Sequence, residues 1–460
     1  MALKNYTADL GTQPLGPLLI RLSLPGMVSF LMMNLYNVVN TYWVSRLGSD
    51  AIAALAVVFP FQMVNVALGA GTGIGISSLA SRLFGKSDTE GANRVAGQVY
   101  FLSLALGTLT LITGAVFTDA ILKVFNALPD FWALSHTYLF IISFGTPFLY
   151  FMMMSNNLLR GSGDAITPMY ITIGSAVANA ILDPFLIFGI GPFPQMGVAG
   201  AALGTLITQF LGAIAYLIYM SRSRSAYRVR RQYLLPSFHV IHDIYRVGGP
   251  AMIMQLTASL VVIIFNHFLG AFGTVAIAAY GLFFRIVGVF LMPIVGMSQG
   301  LMPIVGFNYG SGDLRRMWRG IRIATVYATI VTTTIQLLLL LLAAPLASLF
   351  AKDTVLLAEA TLAIRISILA FFLVGPQFMW ITALQGMKHG GEAMVLSLMR
   401  QLIFILPLLA IFSHYFGLAG IWASGPVADT LAFIITFIWI MRVRRTLRLQ
   451  SPPSPAAPAA

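Results

Sequence analysis

Hydrophobic and polar positions alternate along the chain in long blocks, and the apolar blocks have the length of membrane-spanning helices. Twelve blocks of about 20 residues or more are separated by short polar clusters. They cover residues 16–44, 52–80, 94–118, 135–159, 166–190, 197–220, 245–270, 275–307, 317–347, 358–386, 392–414 and 418–441. The blocks lack the two-residue alternation of outer-membrane strands. The pattern therefore predicts an all-α polytopic membrane protein with twelve transmembrane helices.

Composition supports this prediction and excludes soluble classes of protein. Of the 460 residues, 58% are hydrophobic and 9% are charged, and the mean hydropathy is +0.87. Soluble domains carry roughly 25% charged residues. The chain has no cysteine, which excludes disulfide scaffolds, thiolate zinc sites and iron–sulfur clusters.

The net charge of +13 is explained by membrane topology rather than by nucleic-acid binding. With a cytoplasmic N-terminus, 22 of the 27 Lys and Arg residues lie on the cytoplasmic side and three on the outer side. The other two, Arg285 and Arg365, fall inside helices. Because cytoplasmic loops are enriched in positive charge, we predict that both termini are cytoplasmic and that nucleic acid is not a partner.

The two halves of the chain repeat each other at an offset of 225 residues. The repeat aligns Arg21–Pro25 with Arg246–Pro250, and Gly71 and Gly75 with Gly296 and Gly300. Six spans separate the copies, so both have the same topology and are related by a pseudo-two-fold axis along the membrane normal. The predicted domains are an N-terminal lobe (1–220), a basic cytoplasmic linker (221–245), a C-terminal lobe (246–445) and a disordered tail (446–460).

Of the fourteen acidic residues, twelve fall in loops or at helix ends and two lie well inside predicted spans, and an acid in hydrocarbon is a candidate functional group. Asp183 lies in the fifth span, four residues after Asn179, so both side chains share one helix face. Asp429 lies in the twelfth span. A carboxylate beside a carboxamide can accept a proton or provide oxygen ligands to sodium. A polar contact between helices is the structural alternative.

Several motifs together resemble the multidrug and toxic compound extrusion (MATE) family, and most closely its DinF-like branch. The matching segments are Leu35–Gly48, Leu159–Asp164 with Pro168, Asn179–Pro184, Gly200–Thr205, Met292–Gly300 and Gly306–Gly310. The resemblance implies two six-helix lobes and efflux of cationic amphipathic compounds in exchange for protons or sodium. It also implies a monomer in the inner (plasma) membrane of a bacterium or archaeon, with lipid and small molecules as partners and no cofactor besides the coupling ion.

The resemblance also implies roles for particular residues. The coupling ion would be bound or relayed by Asp183, Asn179, Asn40, Tyr36, Asn156 and Thr205, with sodium at Asp183 and Asn179 if sodium is the ion. Bending of the first helix at Pro25 would accompany ion binding, since a proline removes a helical hydrogen bond. The family usually has an aspartate where this chain has Asn40, and asparagine cannot titrate. Weaker candidates in the second half are Asp429, Arg285 and Gln255.

Two other functions are compatible with a polytopic membrane protein. A lipid-linked precursor flippase of the same superfamily would need extra spans and a cationic cavity, and only two arginines are predicted to be embedded. A membrane enzyme would need clustered carboxylates or histidines, whereas the six histidines are scattered. There is no nucleotide-binding motif, so we expect secondary transport and no enzymatic activity.

Overall fold

A computed structural model describes residues 6–125, 127–222, 225–350 and 353–450, and all regular structure in these ranges is helical. Sixteen α-helices, α1 to α16, follow one another in chain order. They are Tyr6–Thr12, Leu15–Ser45, Ser49–Gly85, Thr89–Val116, Thr118–Val124, Pro129–Phe144, Thr146–Gly161, Ile166–Phe188, Val198–Ser221, Phe238–Gly270, Thr274–Gly310, Leu314–Ser348, Thr354–Ser367, Phe371–Gly386, Gly390–Leu398 and Ile405–Gln450. A 3-10 turn covers Arg231–Leu234, and a π-helical turn covers Met399–Ile403.

The helices account for the twelve predicted membrane crossings. Within the described ranges, nine helical segments are each long and apolar enough to span a membrane, and two bent helix pairs supply one span each. The last segment, Gly390–Leu447, has non-helical backbone at Gly417 (φ 59°, ψ −140°), so it consists of two helices. Dividing it there gives twelve spans and confirms the predicted fold class.

The fourth and tenth spans are broken, although the sequence predicts one helix for each. The α6–α7 pair bends by 51° and the α13–α14 pair by 53°. Pro147 follows the first break, and a proline has no N–H to continue the helix. At the second break, Gln336 donates to the Leu369 carbonyl and accepts from the Phe372 N–H, both at 2.9 Å. These bonds satisfy backbone groups that hydrocarbon would leave unpaired.

Packing divides the chain into two compact units. The first contains residues 1–260, 289–312 and 382–394, and the second contains 261–288, 313–381 and 395–460. The lobe boundaries inferred from the repeat stay a prediction. Helix α16 continues to Gln450, whereas the tail is predicted from residue 446, and residues 451–460 lie outside the described residues.

The basic linker of the first unit is packed against its helices. Buried Tyr227 donates from its hydroxyl to the Leu158 carbonyl at 2.7 Å. Gln98 donates to the carbonyls of Tyr233 and Leu235 at 3.1 and 2.9 Å. The described part of the linker is therefore held by buried hydrogen bonds.

Repeat-related glycines make equivalent close approaches within the first unit. A Cβ atom on Gly71 would lie 2.8 Å from the backbone nitrogen of Met252. A Cβ on Gly296, its repeat counterpart, would lie 2.8 Å from the backbone nitrogen of Met27, the counterpart of Met252. The internal duplication is thus preserved in the contacts, and only glycine allows the backbones to approach this closely.

The same relation holds one helical turn further along. A Cβ on Gly75 would lie 3.0 Å from the Gly248 nitrogen, and a Cβ on Gly300 would lie 2.9 Å from the Ser23 nitrogen. Helix α3 therefore crosses α10 as α11 crosses α2. Since backbone atoms form both crossings, small side-chain movements cannot relieve an added methyl group.

We expect Gly300→Ala to destabilise the protein by about 1–3 kcal/mol, the usual cost of overpacking. Gly288→Ala in the same helix is the control, because open space surrounds its added Cβ. That substitution should be neutral or stabilising, since alanine is the better helix former. Thermal unfolding in detergent measures both. Equal midpoints for the two variants would contradict the close crossing.

Candidate functional site

Asp183 lies on α8, which packs against α2 and α9. Its side chain is fully buried, and neither carboxylate oxygen has a hydrogen-bond partner among the described residues. Pro184 follows it inside the helix and removes one backbone donor from this turn. A buried polar atom without a partner is rare in proteins and requires an explanation.

Asn179 lies one turn before Asp183 and is also buried. Its amide nitrogen donates to the Thr208 hydroxyl at 3.4 Å, while its Oδ1 has no partner among the described residues. Gly204 of α9 makes room for both side chains. A Cβ at Gly204 would collide with Asp183 Oδ1 and would lie 3.7 Å from Asn179 Nδ2.

Helix α2 contributes Tyr36 and Asn40 from successive turns. The hydroxyls of Tyr36 and Thr205 lie 3.3 Å apart, which ties α2 to α9. Tyr36 is close enough to Asp183 to interact with its charge. Asn40 Oδ1 is buried and, within the described ranges, has no hydrogen-bond partner.

Four oxygens without donors therefore come from α2 and α8: Asn40 Oδ1, Asn179 Oδ1 and both oxygens of Asp183. We call this set the oxygen cluster. Protonation of Asp183, internal water or a hard cation such as sodium would each satisfy it. The described residues contain no group of three or more His, Cys, Asp or Glu able to hold a metal ion. A carboxylate and two amide oxygens can accept hydrogen bonds or act as oxygen ligands, and the carboxylate can also take up a proton.

Asn156 lies in a second polar group, around Arg160 at the end of α7. Its Oδ1 accepts a hydrogen bond from Arg160 Nε at 2.7 Å. Arg160 is 4% exposed and donates from Nη2 to the Ser29 hydroxyl at 3.4 Å. Its Nη1 is buried and unpaired within the described part of the chain. The arginine, predicted at the cytoplasmic side, is thus inside the protein.

The Arg160 group is adjacent to Pro25, which lies inside the continuous helix α2. The Ser29 hydroxyl that accepts from Arg160 donates to the Pro25 carbonyl at 2.8 Å. A Cβ on Gly26 would lie 3.1 Å from Arg160 Nη1 and 3.2 Å from Gln299 Oε1. A hydrogen-bonded chain therefore links α7 to the proline turn of the first span.

In the second unit, Asp429 is paired with a residue that sequence reasoning missed. Its Oδ1 lies 3.4 Å from Arg400 Nη1, and its backbone carbonyl accepts from Gln377 Nε2 at 2.7 Å. Arg285 and Gln255 are exposed in the protein. Arg400 is one of the 22 positive residues counted on the cytoplasmic side, although its position lies inside the predicted 392–414 span. That position in the sequence already indicated a charge embedded in the membrane.

Twelve helical crossings, an internal duplication and a buried polar cluster define a polytopic membrane transporter. The MatE family model matches residues 25–185 and 250–411, one match in each copy of the repeat. These matches cover more than half of the chain. The chain belongs to the MatE (MATE) family of transporters.

Individual relatives match over nearly the whole chain. A FAD transporter of Shewanella oneidensis is 28% identical over 435 residues, 94% of this chain and 95% of the relative. The multidrug export protein MepA of Staphylococcus haemolyticus is 29% identical over 432 residues, 93% and 94% of the two chains. A solved structure, described as the outward-facing conformation of a multidrug resistance MATE family transporter, has a TM-score of 0.89 at 28% identity. It covers 96% of this chain and 98% of its own.

The Arg160 group predicts opposite effects for two neighbouring substitutions. Asn156→Asp should raise stability by about 1 kcal/mol, because a carboxylate then accepts the Arg160 hydrogen bond. Asn157→Asp should lower stability, because the Asn157 amide donates to the Met153 carbonyl and a carboxylate cannot. Thermal unfolding of both variants in detergent checks the signs. If Asn156→Asp is the less stable variant, Arg160 does not carry an unmatched charge.

Proposed function

We propose that this chain is a secondary active efflux antiporter, which exports cationic amphipathic compounds in exchange for protons or sodium. The observation that carries the proposal is the oxygen cluster, a buried set of acceptors without donors that includes Asp183. Such a set gains a partner when it binds a proton or a cation. Ion binding would therefore change the interactions between α2 and α8.

The roles within the cluster follow from chemistry. Asp183 would exchange the ion, because it is the only member that can change its charge. Asn179 and Asn40 would add neutral oxygen ligands, and Tyr36 with Thr205 would hold α2 against α9. A proton on Asp183 would make the acid a donor to one of the free amide oxygens. Asn156 would act through Arg160, since it accepts a hydrogen bond from that residue.

The first span provides a means to couple ion binding to movement. Pro25 lies on the same helix as Tyr36 and Asn40, so a change at the oxygen cluster would act on the helix that contains this proline. The Arg160 hydrogen bond to Ser29 would stabilise one geometry of the proline turn. We propose that Pro25 is the hinge of this helix.

The substrate class and the setting are part of the same proposal. Multidrug export proteins among the relatives favour drug-like substrates, and the family resemblance implies that these are cationic and amphipathic. The distribution of positive charge favours cytoplasmic termini, and the bacterial multidrug export relatives favour a bacterial or archaeal plasma membrane. The repeat favours two lobes, 1–220 and 246–445, joined by the cytoplasmic linker in a monomer. Export would alternate access to a site between such lobes.

Asp183→Asn should reduce gradient-driven ethidium export to background, because the amide retains the size of the acid but cannot exchange a proton. Inverted vesicles with an imposed proton or sodium gradient give the rates and identify the coupling ion. Asp130→Asn is the matched control, since it makes the same change at an exposed acid. Asn40→Asp should raise the rate of gradient-driven ethidium export, because it adds a second titratable group. Its titration would be coupled to that of Asp183. Full export by Asp183→Asn at matched expression would reject the mechanism.

Pro25→Ala should slow turnover and leave the affinity for ethidium nearly unchanged, because the hinge affects interconversion more than contact with the drug. Pro60→Ala is the comparison, as Pro60 is an exposed proline inside another helix. Stopped-flow efflux and equilibrium binding separate the two quantities. An unchanged rate for Pro25→Ala would assign this proline a structural role.

A further inference from the structure

A polar cluster in the second unit is not used by the ion-exchange proposal. It consists of Arg400, Asp429, Gln377, Phe378 and Gln401, and we call it the Arg400 site. Arg400 lies in the π-helical turn Met399–Ile403, between α15 and the start of α16. In this turn the Phe404 N–H donates to the carbonyl of Met399, five residues earlier, at 2.9 Å. Single π-turns inside helices occur frequently at functional sites.

Most N–H donors of the Arg400 guanidinium make no hydrogen bond among the described residues. Within the described residues its one hydrogen bond runs from Nη1 to Asp429 Oδ1 at the long distance of 3.4 Å. Its Cζ atom lies 5.5 Å from the centre of the Phe378 ring. The side chain remains 22% exposed. An arginine can use several N–H groups in a planar fork, and here most of them face no protein acceptor.

The remaining members fix the geometry of the Arg400 site. Gln377 is 1% exposed and donates to the backbone carbonyl of Asp429 at 2.7 Å, which anchors the acid. Gln401 donates to the Ser397 hydroxyl at 2.8 Å, while its buried Oε1 has no partner in the described part of the chain. The side chains around Arg400 are therefore held by hydrogen bonds, with one buried acceptor left unpaired in the described part of the chain.

The depth of Arg400 in the span indicates what its exposed part contacts. Arg400 follows Gly390, the first residue of α15, by ten residues, which places it about 15 Å along the span at 1.5 Å per residue. This is near the middle of a hydrocarbon layer of about 30 Å. A charge exposed to lipid at this depth is costly, and the cost is much smaller where the exposed part of Arg400 faces water or a ligand. Lipid headgroups lie at the membrane surface and do not reach it.

We propose that Arg400 binds the anionic group, carboxylate or phosphate, of an aromatic amphipathic ligand. Arginine pairs with such groups through two parallel hydrogen bonds, and its free donors match this geometry. Phe378 supplies an apolar aromatic surface beside the charge. Asp429 acts as the counter-ion that holds Arg400 when no ligand is bound. The ligand must compete with this single long contact, which is weaker than a bidentate pair.

The proposal adds a second ligand class to the proposed transport function and rests on that function only for the movement of the ligand. Binding to purified protein in detergent tests it without any gradient. Riboflavin 5′-phosphate and riboflavin are suitable probes, because they share the ring system and differ by one phosphate group. Flavin fluorescence gives both dissociation constants. Failure of ethidium export would contradict the proposed function and leave this measurement intact.

Wild-type protein should bind the phosphate ester at least about tenfold more tightly than riboflavin, as expected for charge-assisted hydrogen bonds. Arg400→Gln should abolish this preference. Arg365→Gln is the matched control, because it removes an exposed arginine from the same unit and should retain the preference. Equal binding of the two flavins by wild type, or the same loss in both variants, would overturn the proposal.

Asp429→Asn gives an independent test in case Arg400→Gln does not fold. Without the competing carboxylate, Arg400 is free for the ligand, so affinity for the phosphate ester should rise severalfold while affinity for riboflavin stays constant. Arg400→Lys should retain part of the preference, because it keeps the charge and loses the planar fork. Unchanged or weaker binding of the phosphate ester by Asp429→Asn would overturn the proposal.

Discussion

The need to satisfy polar groups inside hydrocarbon governs this structure. Side-chain hydroxyls and amides bond to backbone groups at a helix break and beside a proline inside a helix. Gln336 binds backbone groups on both sides of the break in the tenth span, and Ser29 binds the Pro25 carbonyl. The oxygens of Asp183 and Asn179 are among the buried polar atoms that have no partner in the described part of the chain. In the proposed mechanism, a proton, water or cation provides the missing partner.

Close packing between helices is a second constraint on the structure, and both copies of the internal repeat satisfy it. Lipid does not drive helices together by the hydrophobic effect, so contact between helices depends on close van der Waals approach. Gly71 and Gly296 bring backbones together in the same way at the same repeat positions. The repeat-related glycines therefore form the same packing geometry in both copies of the repeat. This explains why glycine recurs where a larger apolar residue would be equally compatible with the membrane.

Features that depend on local sequence could be predicted, and features that depend on distant partners could not. Hydropathy predicted the twelve spans, and helical spacing placed Asn179 beside Asp183. The break in the tenth span was missed, because Gln336 stabilises it from another helix. The pairing of Arg400 with Asp429 was missed because the arginine belonged to a count of cytoplasmic charges. The contact between Asn156 and Arg160 has the spacing of a helical turn, but its burial depends on packing.

The two embedded acids differ in the charge that faces them, and this difference separates their proposed roles. Asp429 has a guanidinium nitrogen of Arg400 3.4 Å from one of its oxygens. Asp183 is fully buried and forms no ion pair among the described residues. Ion exchange is therefore best placed at Asp183. At the Arg400 site the unused hydrogen-bond donors belong to the arginine, so the ligand proposed there is an anion.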